Sequence, residues 1–171
     1  ILRNDAQKFI DAYRQWSSPD EPNEPPKMLI YYAAAHGNTG VMAEKIAQGA
    51  RSQGVDVEMF DAIDIDPLEH IDRIEKADAL LLGSPTINAN VVKPVWDILN
   101  SLITIDVKGK LGASFGSFGW SSDAVEQLDA RLNTMKFNVP LEGLTAVLVP
   151  SEEEQKNCFD FGVSLAKELQ S

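Results

Sequence analysis

The sequence of 171 residues lacks several features that define large classes of protein. It has a single cysteine, Cys158, so no internal disulfide can form and we expect a buried thiol in a reducing, cytoplasmic setting. Lys and Arg number 15 against 26 Asp and Glu, and the net charge of −11 argues against nucleic-acid or anionic-membrane partners. No apolar run approaches the roughly 20 residues of a membrane span. With only two histidines, His36 and His70, the sequence shows no nucleophile and base pair for covalent catalysis.

Proline divides the chain near its beginning. Residues 17–27 read SSPDEPNEPPK, which has four prolines and no aliphatic side chain and is typical of an extended, semi-rigid linker. Apolar residues at helical spacing in residues 1–16 predict a helical tail, which we interpret as the end of a preceding domain. The alternative is a helix that docks on its own domain. Residues 28–171 are predicted to form the main domain.

Apolar, β-rich runs alternate with helical periodicity through the main domain. The predicted strands are Met28–Tyr32, Val55–Phe60, Ala79–Leu82, Leu111–Phe115 and Leu144–Val149. The intervening segments predict five helices, two of them starting at capping boxes, Asp66 with Glu69 and Ser151 with Glu154. This alternation predicts an α/β fold with a doubly wound, five-stranded parallel sheet of order 2-1-3-4-5 and helices on both faces.

Three loops at one end of this sheet are free of acidic residues. Ligands bind such sheets at the carboxyl ends of the strands where the winding reverses, and the loops expected there are residues 33–39 (AAAHGNT), 84–91 (SPTINANV) and 117–122 (SFGWSS). No Asp or Glu occurs in these three loops, although the loops after the second and fifth strands are acidic. The pattern predicts an anionic ligand.

The side chains of the three loops suggest which anion binds. The first loop enters a helix through Gly37 to Gly40, whose N–H groups can bind a phosphate, and neither a Walker A motif nor G-x-G-x-x-G is present. Thr86 and Asn88 are uncharged groups that can bind the edge of a polar ring. Trp120, close to Phe118, either stacks on a planar cofactor or caps the core. A phosphate nest, a polar edge and an aromatic wall predict a pocket for flavin mononucleotide (FMN).

The same loops carry a resemblance to a known family. The strings YAAAHGNTGVMA (32–43), GSPTINAN (83–90) and GASFGSFGWSS (112–122) resemble the flavodoxin-like domain of flavodiiron proteins (A-type flavoproteins), and the resemblance covers residues 28–169. The tail that ends YRQW (13–16) is similar to the end of the metallo-β-lactamase-like domain that precedes it in that family. The resemblance implies an electron-transfer module. In the family, FMN receives electrons from rubredoxin or from a flavin- or NADH-dependent reductase. It passes them to a di-iron site in the neighbouring subunit of a homodimer, where oxygen or nitric oxide is reduced.

The resemblance and the loop chemistry together define the candidate cofactor-binding residues. They are Ala34, Ala35, His36, Gly37, Asn38, Thr39, Pro85, Thr86, Ile87, Asn88, Ser117, Phe118, Gly119, Trp120 and Ser121. The first loop departs from the family pattern D-T-M-[WY]-G-S-T, because alanine at position 34 removes a phosphate-binding hydroxyl that a protonated His36 could partly replace. The family's cluster of His, Glu and Asp for two irons is missing, so no catalytic residue or metal site is expected in this chain.

Two alternatives remain open on the sequence alone. The first is a docking module that has lost its flavin, which the three alanines of the first loop make conceivable. The second is a free-standing flavodoxin or quinone-type reductase, which the N-terminal tail disfavours. Neither the electron donor nor the final acceptor can be read from these residues.

Overall fold

A computed structural model gives the fold of the protein and describes residues 10, 23–34 and 36–171. The predicted helical tail, apart from Ile10, and residues 17–22 of the predicted linker lie outside the described residues, as does Ala35. The strands are β1 (Lys27–Tyr32), β2 (Asp56–Asp61), β3 (Ala79–Gly83), β4 (Thr86–Ile87), β5 (Asn90–Val91), β6 (Leu111–Phe118) and β7 (Leu144–Val147). The helices are α1 (Asn38–Arg51), α2 (Ile71–Lys76), α3 (Lys93–Ser101), α4 (Asp123–Thr134) and α5 (Glu152–Leu169), with 3-10 turns at Pro67–His70 and Leu102–Thr104.

The five longer strands form a parallel sheet in the order β2-β1-β3-β6-β7. Counted along the chain, this is the predicted order 2-1-3-4-5, and the prediction is confirmed. The order reverses direction next to β1, so the carboxyl ends of β1, β3 and β6 border one crevice. A small antiparallel hairpin, β4 and β5, was not predicted and lies directly after β3.

Helices cover both faces of the sheet because its central strands are apolar on both sides. In β1, Met28 and Ile30 pack with α1 and α5, whereas Leu29 and Tyr31 pack on the other face with α2, α3 and α4. All four side chains are fully buried, as expected for a parallel strand between two helical layers. The continuous apolar runs in the sequence reflect this two-sided burial.

Helices α1 and α5 approach each other through two glycines. A Cβ added to Gly49 would lie 2.0 Å from the backbone oxygen of Phe159, and one added to Gly162 would lie 2.0 Å from the backbone oxygen of Ile46. Neither distance is possible for a real side chain, so the two helices can pack this closely only with glycine at both positions. This contact fixes α1, whose first turn enters the candidate site.

One of the two predicted helix starts is present as expected, whereas the other and the end of the last strand differ from the prediction. Ser151 and Glu154 form the predicted capping box of α5. Asp66 caps a 3-10 turn rather than an α-helix, accepting a hydrogen bond from the Leu68 N–H at 3.0 Å. The last strand ends at Val147 and not at the predicted Val149, because Leu148 adopts a positive φ of 52° that breaks the extended conformation.

Candidate functional site

The three acid-free loops meet in one cleft at the carboxyl ends of β1, β3 and β6. The cleft has a volume of about 230 Å³. Its lining residues are His36, Asn38, Thr39, Pro85, Thr86, Ile87, Ser117, Phe118, Gly119, Trp120 and Leu148. All but Leu148 come from the loops that the sequence singled out, and the cleft lies where the strand order predicted a ligand.

The first turn of α1 lines the cleft and is suited to bind an anion. Gly37 precedes the helix with a φ of +81°, a left-handed conformation that glycine adopts without strain. No side chain caps this N-terminus and its first turn has no acidic residue, so its N–H groups remain available to a bound anion. The Thr39 side chain is buried beneath this turn, where its Oγ1 lies 3.0 Å from the Oγ of Ser117. This hydroxyl pair joins the first and third loops.

The second loop folds as the β4–β5 hairpin beside the cleft. Thr86 pairs with Val91 and Ile87 with Asn90, so Asn88 and Ala89 form a two-residue turn. The Thr86 hydroxyl accepts a hydrogen bond from the Ala124 N–H at 3.3 Å, which ties the hairpin to the first turn of α4. The hairpin thereby holds Thr86 and Ile87 at the cleft, and the Ile87 side chain is 45% exposed there.

The third loop presents an unburied aromatic ring. Trp120 is 85% exposed and lines the cleft, so it does not cap the core. The interpretation of Trp120 as a cofactor wall therefore remains. Trp96 of α3, in contrast, is half-buried against the core and donates its Nε1–H to Asn90 Oδ1 at 3.2 Å. An exposed tryptophan at a cleft is typical of a surface that stacks on a planar ligand.

Leu148 is the lining residue that sequence reasoning missed. It follows β7, and its N–H donates to the Phe118 carbonyl at 2.8 Å, which places it against the third loop. Its side chain is 59% exposed, and its Cδ2 would lie 3.7 Å from a Cβ at Gly119. The acidic residues that follow had suggested a loop away from the site. The available signal was the strand order, since the last strand lies next to β6.

Some predicted site residues do not line the cleft. The structure describes Ala34, Gly37, Asn88 and Ser121 in the same loops but outside the lining, and Ala35 is outside the described residues. Gly37 and Asn88 have positive φ values and act through the backbone turns that they form. The half-buried Ala34 lies beside α1, and its Cβ would be 3.7 Å from a Cβ at Gly40.

The cleft is neutral in a strongly acidic protein. Its lining contains no Asp, Glu, Lys or Arg, and His36 is its only titratable side chain among the residues that the structure describes. Within the same described part of the chain, no group of three or more His, Cys, Asp or Glu side chains is arranged to hold a metal ion. Burial raises the pKa of the Cys158 thiol to about 11, so this cysteine remains protonated in the core at neutral pH.

The residues of the cleft fit FMN. The free N–H groups at the start of α1 suit the phosphate, and the exposed Ile87, Trp120 and Leu148 offer apolar surface to a flat ring. Thr86 and Ser117 also line the cleft, and hydroxyls of this kind can bind polar atoms. A helix N-terminus and an exposed aromatic ring in one cleft match a planar ring that carries a phosphate.

Comparisons with known proteins identify the family of the chain. The family model for flavodoxin matches residues 30–162. The chain is 37% identical over 171 residues to the flavo-diiron protein FprA2 of Clostridium acetobutylicum, covering 99% of this chain but 42% of that protein. The flavodiiron protein from Giardia intestinalis superposes with a TM-score of 0.86 at 29% identity, over 94% of this chain and 40% of that one. Rubredoxin oxygen:oxidoreductase from Desulfovibrio gigas does so with a TM-score of 0.83 at 26% identity, over 96% and 39% of the two chains.

These matches extend over nearly the whole chain, and the chain spans less than half the length of these relatives. The alternative of a free-standing flavodoxin or reductase is therefore not favoured. The expected cofactor is confirmed at the level of the family, because flavodoxin domains bind FMN. The chain belongs to the flavodoxin family and corresponds to the flavodoxin-like part of flavodiiron proteins.

Proposed function

We propose that this chain binds one FMN in the cleft and serves as the electron-transfer module of a flavodiiron oxygen or nitric oxide reductase. The observation that carries the proposal is the convergence of three acid-free loops on one cleft, which has an uncapped helix N-terminus and an exposed tryptophan. Bound FMN supplies the electron transfer, and the protein supplies binding, orientation and electrostatics.

The three loops have different roles in this proposal. Residues 34–39 hold the phosphate through the N–H groups of the loop and of the first turn of α1. Residues 85–88 bind the polar edge of the ring, with Thr86 as the hydrogen-bonding side chain and Asn88 in the turn that holds it at the cleft. Residues 117–121 form the other wall, on which Trp120 stacks. The net charge of −11 disfavours additional negative charge on the flavin, which lowers its tendency to accept electrons.

The remaining parts of the activity lie outside this chain. A metallo-β-lactamase-like di-iron domain, in the same chain or in a neighbouring subunit, is the proposed electron acceptor, in keeping with the names of the flavodiiron relatives. Rubredoxin or a flavin- or NADH-dependent reductase is the proposed donor, and the name of the Desulfovibrio gigas relative supports the first of these. We also propose a homodimer for the full-length protein and a cytoplasmic location. No helix in the described part of the chain has the length and apolarity needed to cross a bilayer.

The test is a titration of the flavin-free protein with FMN and with riboflavin. FMN should bind about one to one and quench the fluorescence of Trp120, and riboflavin should bind much more weakly because it lacks the phosphate. A visible spectrum of the protein as purified would show retained flavin. If the folded protein gives no binding signal with FMN, the flavin-free docking module replaces this proposal.

A further inference from the structure

The β4–β5 hairpin contains a turn that its own sequence disfavours. Asn88 and Ala89 have φ values of 52° and 56°, which is the left-handed conformation required at both central positions of a type I′ turn. Asparagine tolerates this conformation, but alanine does not, because its Cβ crowds the following carbonyl oxygen. The sequence Asn-Ala thus stands where Asn-Gly would be preferred.

Two strands of two residues each cannot hold such a turn in place. An isolated hairpin is at best marginally stable in water, and β4 and β5 are paired only with each other. The conformation of Ala89 therefore depends on contacts from outside the hairpin. One side chain of α4, Gln127, makes two hydrogen bonds to the hairpin.

Gln127 bonds to the turn of the hairpin and to its second strand. Its Nε2 donates to the Ala89 carbonyl at 2.9 Å, and its Oε1 accepts from the Val91 N–H at 3.4 Å. The first bond fixes the turn itself and the second fixes the strand that leads out of it. Gln127 does not line the cleft, whereas Thr86 and Ile87 on the other strand of the hairpin do.

We propose that Gln127 is a positioning residue for the flavin: it holds Ala89 in the left-handed conformation and so sets Thr86 and Ile87 against the ring. This inference rests on the proposed FMN site. Helix α4 begins just after the third loop, so the same helix supports the hairpin and follows the loop that carries Trp120, and both line the cleft. A shift of the hairpin would separate these two walls.

The test compares Gln127→Ala with Asn133→Ala by FMN titration. Asn133 is a matched control because it also carries a carboxamide on α4, yet this carboxamide donates to the Asp129 carbonyl of its own helix, at 2.8 Å, and not to the hairpin. Gln127→Ala should weaken FMN roughly three- to tenfold, on the scale of lost neutral hydrogen bonds, and Asn133→Ala should leave the Kd unchanged. Gln127→Ala should weaken the binding of riboflavin by the same factor as the binding of FMN, because the substitution does not touch the groups that bind the phosphate.

A rescue separates positioning from a general loss of stability. Glycine adopts the left-handed conformation freely, so Ala89→Gly in the Gln127→Ala background should restore most of the lost affinity. Amide hydrogen exchange at residues 89–91 of the flavin-free protein should be faster in Gln127→Ala and unchanged in Asn133→Ala. The inference is overturned if Gln127→Ala binds FMN like wild type, or if Ala89→Gly fails to restore binding. Failure of the wild-type protein to bind FMN would instead overturn the proposed function, and this inference with it.

Discussion

Replacement of Trp120 by alanine should weaken FMN binding without destabilising the fold. The ring is 85% exposed, so its removal should change the free energy of unfolding by no more than about 0.5 kcal/mol. In a domain of this size that is a shift in melting temperature of at most about 2 °C. Stacking of an aromatic side chain on a planar base contributes roughly 1–3 kcal/mol, so the Kd for FMN should rise roughly 5- to 150-fold.

The control is Trp96→Ala, measured by the same thermal melts and FMN titrations. Trp96 is half-buried against the core, and a fully buried aromatic replaced by alanine typically costs about 3–5 kcal/mol. Trp96→Ala should lower the melting temperature by several degrees and raise the Kd for FMN less than Trp120→Ala does. Some effect on the Kd is expected, because the bond from Trp96 to Asn90 also supports the hairpin. Wild-type FMN affinity in Trp120→Ala would refute the assignment of Trp120 as a wall of the flavin site.

Three further predictions concern other parts of the molecule. Ala34→Thr should tighten FMN by up to about 2 kcal/mol in calorimetry, and an unchanged Kd would mean that other donors already satisfy the phosphate. Gly162→Ala should cause a large loss of stability in urea melts, because the added Cβ meets the Ile46 carbonyl oxygen at 2.0 Å. Burial, followed by the nearby positive charge of Arg73, lowers the pKa of His70, which lies 2.8 Å from the Tyr31 hydroxyl. The contribution of neutral His70 to the free energy of unfolding should therefore be fully present above about pH 6.5 and be lost as the pH falls through the lowered folded-state pKa. Urea melts of His70→Gln at a series of pH values should not show this loss.

The sequence predicted the sheet because its strands are buried on both faces. Such strands appear as unbroken apolar runs, and the order follows from the number of alternating units. The first loop was also recognisable, since Gly37 and the following helix start are local features. These parts of the fold depend on short stretches of chain and on rules that apply to any parallel sheet.

The parts that the sequence did not predict depend on tertiary contacts. Whether Trp120 is buried or exposed is set by neighbours that its own loop does not reveal. The hairpin was missed because its strands have two residues each and its turn reads Asn-Ala. The side chain that stabilises it, Gln127, comes from a helix far along the chain and could not be inferred from the hairpin's own sequence. Leu148 was assigned to the last strand because Val147 and Val149 on either side of it continue the apolar β pattern. The structure ends the strand before Leu148, whose φ is positive.

On the proposed function, the neutral cleft holds FMN by dipoles rather than by cations. No Lys or Arg lines it in the part of the chain that the structure describes, and at long range the net charge of −11 opposes the approach of a phosphate. Excluding acids from three loops removes the repulsion at short range, where it would be strongest. The N–H groups after Gly37 and the dipole of α1 then provide the attraction. These donors belong to the backbone, so alanine at position 34 leaves them in place, and a hydroxyl at that position would add one further donor to them.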